Sequence, residues 1–221
     1  MSQFILGFLV AVVTNIFSWW ILARYLVPSI DFSHSISKRP RVKTKRDAAP
    51  FGYWVKMENR GRRSVIDLEL IVRLRINWPS DYLPNTWTTF NVPLSESGGD
   101  TYRIPRILPV SKGKHVRHNI RLFVNDLNEF RDKPFYPRHI KLKAKKRALL
   151  LEDIMSLGPT PTLQVLAFGY DEFSGARKLF MSNLYTLDDI KEGLFCSDSL
   201  EVVETPTPQN TDTSRAKQDA I

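Results

Sequence analysis

The sequence predicts a mainly β chain with one N-terminal transmembrane helix, an antiparallel immunoglobulin-like β-sandwich and a disordered C-terminal tail. Three observations predict it. Phe4 to Val27, FILGFLVAVVTNIFSWWILARYLV, is apolar and carries no charge before Arg24. Downstream, apolar and polar residues alternate with a period of two, most cleanly over Ser64 to Asn77. Turn-forming residues separate seven or eight such runs, with little helical pattern between them. The implied boundaries are 1–28 for the anchor, 29–195 for the β-domain and 196–221 for the tail.

The anchor comes first. Phe4 to Leu22 is nineteen residues, roughly 28 Å of helix, enough to cross a hydrocarbon core. A cleaved signal peptide fits less well. No Lys or Arg precedes the run, and Arg24-Tyr25-Leu26-Val27-Pro28 offers no small-x-small cleavage site. The flank after the run carries Arg24, Lys38, Arg39, Arg41, Lys43, Lys45 and Arg46 against Asp31 alone. Basic flanks stay cytoplasmic, so the N-terminus is expected outside and the rest of the chain in the cytosol. Trp19, Trp20 and Tyr25 suit an interfacial aromatic belt.

Within the span, Gly7, Ala11, Thr14 or Asn15, and Ser18 recur at three- to four-residue steps. Small residues at that spacing let helix backbones approach closely, and a mid-span amide seeks a partner. The stripe points to a homo-oligomer formed through the span; a plain anchor that tolerates small residues is the other reading.

Beyond the anchor the length suits one domain of ordinary size, about 165 residues. The lone Cys196 excludes an intrachain disulfide framework and suits a reducing compartment. Residues 186–221 hold three bases against eight acids, a net of −5; with +9 for the whole chain, residues 1–185 carry +14. Such a body is drawn to anionic lipid headgroups, and equally to nucleic acid.

In order, Ile30 to Ser37 alternates as one half-buried strand, and the basic, proline-bounded stretch to Pro50 reads as a loop. Phe51 to Asn59 and Ser64 to Asn77 read as a hairpin around Asn59-Arg60-Gly61-Arg62-Arg63, with Gly61 supplying a positive φ. Ile66, Leu68, Leu70, Val72, Leu74 and Ile76 fall on one face of the second strand. Val65, Asp67, Glu69, Ile71, Arg73 and Arg75 fall on the other. Thr86 to Leu94, Thr101 to Leu108 and His118 to Val124 are further strands; Pro93 and Pro105 mark edges or bulges. Asp126 to Leu157 is irregular, with a short helix over Ala148 to Leu157. Thr162 to Tyr170 and Ala176 to Tyr185 form a second hairpin, and Leu187 to Phe195 a closing helix capped by Thr186.

No catalytic, cofactor or metal set emerges. His34, His115, His118 and His139 lack neighbouring ligands, and no phosphate-loop, dinucleotide or nucleophile motif is present. Asp67 with Glu69, or Asp171 with Glu172, could do acid–base work, but salt bridges to Arg73, Arg75 or Arg177 explain such charged faces more simply. An enzyme therefore has no support in these residues. Two basic groups are candidate contacts for lipid or an acidic partner: Arg60, Arg62 and Arg63 at the turn, and Arg138, Lys141, Lys143, Lys145, Lys146 and Arg147.

The pattern of Tyr53, Val55-Lys56, Asn59-Arg60-Gly61-Arg62-Arg63, Asp67-Leu68 and Arg73-Leu74-Arg75-Ile76 resembles small bacterial single-pass membrane proteins with a cytosolic β-sandwich. The stretch from Phe168-Gly169-Tyr170-Asp171 through Phe173-Ser174-Gly175-Ala176-Arg177-Lys178 does so too. The resemblance covers about a third of the soluble part and carries over no catalytic residues. In architecture alone the chain is similar to the membrane effectors of anti-phage systems, retrons and cyclic-nucleotide-activated systems among them. The analogy implies a non-enzymatic inner-membrane effector. Its cytosolic domain would bind a protein or nucleic-acid-containing regulator, and its span would assemble and perturb the bilayer. A membrane-tethered scaffold that docks a cytosolic partner is the alternative.

Overall fold

The computed structural model describes residues 2–25, 28–40, 51–78, 86–94, 101–112, 117–124, 150–156, 158 and 160–204. Of the basic loop expected to Pro50, Lys38 to Pro40 instead extend a strand paired with residues 51–53; residues 41–50, the turn at 95–100, the basic run from Arg138 to Arg147, and the tail beyond Glu204 lie outside the described residues.

Helix α1, Ser2–Tyr25, is continuous. Its window Gln3–Ile21 has a mean hydropathy of 2.0, and none of it is buried against the rest of the chain. It is long and apolar enough to cross a membrane.

The body is a β-sandwich of two sheets. In the first, β3 (Phe51–Asn59) is central. It pairs on one side with β1 (Ile30–Phe32) and β2 (Ile36–Pro40), and on the other with β7 (His118–Leu122). A short strand β10 (Ile190–Glu192) adds to β2 in parallel. In the second sheet, β4 (Val65–Trp78) pairs along one edge with β5 (Thr86–Val92) and β6 (Thr101–Ile107), end to end. Its other edge pairs with β8 (Thr162–Asp171), which carries β9 (Arg177–Met181). One core joins the inward faces: Tyr53, Val55 and Met57 from β3, Leu68 to Ile76 at alternate positions of β4, and Leu163, Val165 and Ala167 of β8.

Several expectations change. The stretch from Ile30 to Ser37 is two strands, because Ser33 interrupts it. The Ser33 amide donates to Lys56 O at 2.7 Å, its hydroxyl donates to Ser35 O, and its carbonyl accepts from Tyr185 Oη at 2.6 Å. β3 and β4 are not a hairpin. They belong to different sheets, and residues 60–64 carry the chain across the sandwich. Gly61 does not have a positive φ; a Cβ there would meet the backbone of Pro28 and Ser29.

The positive φ falls instead on Asp67, at 47°. The β4–β8 register slips between Ile66 and Glu69, so Asp67 sits in a bulge. The bulge reverses the alternation: Val65 turns into the core rather than Ile66, and Leu68 follows it in. Gly169 on β8 makes this possible, since a Cβ there would strike both side chains. Pro105 lies on β6, an outer strand opposite this bulge, in keeping with its missing N–H.

The hairpin of β8 and β9 forms, but its second strand ends at Met181 rather than Tyr185, which keeps only an isolated bridge to Leu163. The helix expected over Ala148 to Leu157 shortens to α2, Leu151–Met155. Tyr53 Oη pins it, donating to Glu152 and accepting from the Leu151 amide at 3.2 Å. The closing helix does not form. Thr186 and Asp189 cap only a single 3-10 turn, Leu187–Asp189, through the Thr186 amide at 2.7 Å and hydroxyl at 3.0 Å. The chain then continues as β10 and β11 (Leu194–Phe195). β12 (Val202–Val203) pairs with β11, so the folded body runs nine residues into the expected tail.

Candidate functional site

Strand β3 is inward at Tyr53, Val55 and Met57, so Trp54, Lys56 and Glu58 point out of the sandwich. A central strand of an open sheet would leave them in water. Here Lys56 and Glu58 are buried, because residues 193–204 fold across this outer face. Lys56 Nζ donates to the carbonyls of Cys196 at 2.6 Å, Ser197 at 3.1 Å and Ser199 at 2.8 Å. Three acceptors around one nitrogen require the ammonium form, although burial pulls this lysine below its ordinary pKa. Ser37 Oγ adds a bond to Gly193 O at 2.6 Å.

Between the sheet and this terminal hairpin lies a cleft of about 650 Å³. It is lined by Arg39, Lys56, Arg117 and Asn119 of the sheet and by the stretch from Leu194 to Asp198 of the hairpin. Arg117 is committed: its Nε donates to Glu58 at 2.6 Å, and Nη1 lies 3.7 Å from Asp198. Glu58 also takes Arg60 at 2.8 Å. Burial alone would raise the Glu58 carboxyl, but the two arginines outweigh it and hold it below the usual range.

Arg39 differs. Its Nε donates to Ser37 Oγ at 2.9 Å, and its guanidinium lies 4.8 Å from the Trp54 ring and 5.7 Å from the Phe195 ring. Among the described residues no carboxylate pairs with it. Burial lowers its pKa, though an arginine remains charged at neutral pH. A guanidinium held against two rings, its Nη edge uncommitted among the described residues, is shaped to take a carboxylate or phosphate in a bidentate fork.

The sequence-predicted contacts are placed differently. Arg60 bonds Glu58 and lies 3.3 Å from Asp31. Arg63 pairs with Asp171 at 3.3 Å and stacks on Phe173, and Arg62 is exposed. The expected salt bridges from Asp67 and Glu69 do not form among the described residues; Arg75 stacks on Trp87 and Arg177 on Phe168 instead. His34 bonds Asn183 at 3.0 Å, and burial lowers the His118 pKa. No group of three potential metal ligands occurs among the described residues.

On the helix, the Cβ position of Gly7 is open, and Ala11, Asn15 and Ser18 are exposed. Thr14 Oγ1 donates to Val10 O at 2.8 Å, so its polarity is absorbed within α1. The cleft itself was not read from the sequence. Its one visible signal was that Trp54, Lys56 and Glu58 share the face of β3 opposite the apolar one. No known protein-family model matches this chain, and no curated protein matches it.

Proposed function

We propose that this chain is a non-enzymatic, membrane-anchored docking protein. Helix α1 holds it in a bacterial inner membrane with the N-terminus outside. The cytosolic sandwich takes up an acidic segment of a partner protein in the cleft beneath the terminal hairpin. The observation that carries the reading is Arg39, half-buried against Trp54 and Phe195 with no carboxylate of its own among the described residues. A side chain that fills no internal ion pair while lining a cleft is placed for an external anion.

The test uses the full chain in detergent and a fluorescein-labelled oligoglutamate peptide, read by anisotropy. Arg39→Ala is expected to weaken binding at least tenfold, and Arg39→Lys to restore only part, since an ammonium cannot fork. Equal binding by all three proteins would sink the proposal.

A second reading is favoured by the exposed stripe of Gly7, Ala11, Asn15 and Ser18. In it the span self-associates and perturbs the membrane, as in an anti-phage effector, and the sandwich serves as its regulator. Replacing α1 with an unrelated span distinguishes the two. A docking protein keeps its activity after the swap, and an effector loses it.

A further inference from the structure

The end of the sandwich tied to α1 gathers four segments. The amides of Arg60 and Gly61 donate to Ser29 O at 2.8 and 3.2 Å. Asn59 bridges to Pro109, and the Glu172 amide donates to Ser64 O at 3.3 Å. The start of the β-body at Ser29, the 60–64 crossing, the end of β6 and the β8–β9 turn therefore share one end. Five peptide steps separate Tyr25 from Ile30, a reach of at most about 18 Å. The headgroup layer itself takes up about 5–7 Å on each side of the core. If α1 spans, at most about 11–13 Å of this reach is left beyond the headgroup layer, so this end stays beside the membrane.

That end displays an aromatic residue. Phe173 is 79% exposed. It is not a loose side chain. Asp171 accepts the Phe173 amide at 3.2 Å and the Ser174 hydroxyl at 2.7 Å, while the Gly175 amide donates to Asp171 O at 2.8 Å. Gly175, at φ 65°, closes the turn. The Arg63 guanidinium lies 4.2 Å from the ring on its inner side. Leu108 and Tyr170 are part-exposed nearby, with Arg60, Arg62 and Arg106 around them.

We propose that this end rests on the cytoplasmic leaflet of the membrane that α1 crosses, with the Phe173 ring at the headgroup–acyl boundary and the arginines at lipid phosphates. The proposal rests on the reading of α1 as a span. Asp31, Glu58, Asp171 and Glu172 balance most of the local positive charge. The contact is therefore led by the aromatic ring rather than by net charge, and salt weakens it only mildly.

The test uses the full chain carrying Cys196→Ser, reconstituted into phosphatidylglycerol–phosphatidylcholine nanodiscs. An environment-sensitive NBD label is placed at Leu108→Cys, at Phe8→Cys in the span, or at Trp87→Cys at the opposite end. Shallow spin-labelled lipid is expected to quench the label at 108 at least twofold more than at 87, and Phe173→Asp to abolish that difference. Phe173 is a surface residue, so an unchanged melting temperature will show that the variant folds. Quenching at 108 equal to that at 87, with the label at 8 deeply quenched, would overturn the lipid contact alone. An unquenched label at 8 would remove the span reading and the contact with it.

Discussion

Replacing Lys56 with methionine keeps the aliphatic stem and removes the ammonium. That ammonium makes three bonds, at 2.6, 3.1 and 2.8 Å, to the carbonyls of Cys196, Ser197 and Ser199. Bonds to a charged donor contribute about 1.5–3 kcal/mol each, against a cost of several kcal/mol for burying the ion. The net loss works out at about 2–4 kcal/mol. It falls locally, because carbonyls on a surface hairpin regain water once it lifts. Local opening on that scale accelerates amide exchange on the order of 30- to 1,000-fold. The reporter is the Cys196 amide, bonded to Glu201 O at 3.1 Å. A second readout is the thiol. The Asp198 amide and the Ser199 hydroxyl hold Cys196 below the ordinary thiol pKa, so release should move its reactivity profile to higher pH. Cys196 exchange within about threefold of the parent protein would refute the claim that Lys56 clamps the hairpin.

Three more outcomes concern individual sites. Asp67→Val should cost about 1–2 kcal/mol, while Asp67→Gly stays within about 0.5 kcal/mol, because only the backbone at φ 47° is demanding; equal losses in urea unfolding would place the role in the carboxylate instead. Ser64 is buried and its hydroxyl has no partner among the described residues, so Ser64→Ala should be neutral or stabilise by up to about 1 kcal/mol; a clear loss would mean the hydroxyl is bonded. Glu58 and Asp171 are both held below their ordinary values of 4.5 and 3.8, their bonds outweighing burial, which alone would raise them. Their stabilisation is present above those values and is lost as pH falls through the lower folded ones. Glu58→Gln and Asp171→Asn should therefore flatten the acid limb of stability, as denaturant midpoints at pH 6 and pH 3 will show; an unaltered limb would contradict the arginine bonds to Glu58 and the Ser174, Phe173 and Arg63 bonds to Asp171.

Strand identity was legible because alternation and turn residues report local geometry, and the β8–β9 hairpin could be read except for where β9 ends. Its turn residues, from Asp171 to Gly175, close on their own neighbours. Partnership was less legible. Residues 59–64 look like a hairpin turn, but an equally short connection can cross between sheets. What selects the crossing is tertiary: Gly61 packs on Pro28 and Ser29, and β1 and β7 take the β3 edges that β4 would need. Alternation also hid the bulge. Val65 and Ile66 are both apolar, so the pattern could not show that Asp67 reverses the face. The helical reading of Leu187 to Phe195 took a capped turn for the start of a longer element, whereas pairing with β2 and β12 draws the chain into strands. The cleft was the least legible feature. Arg39, Lys56 and Arg117 come from three separate stretches, and only the terminal hairpin gives their shared face a roof.

The membrane-anchored reading makes one demand on the whole chain: the sandwich must lie on the cytoplasmic side. Cys196 is the sole cysteine and is exposed, so one labelling experiment addresses it without substitution. A membrane-impermeant maleimide would be applied to right-side-out and inside-out vesicles holding the full chain. Cys196 should be labelled in inside-out vesicles and protected in right-side-out ones until they are permeabilised. Labelling in intact right-side-out vesicles would contradict it, placing the cleft and its arginine outside the cell.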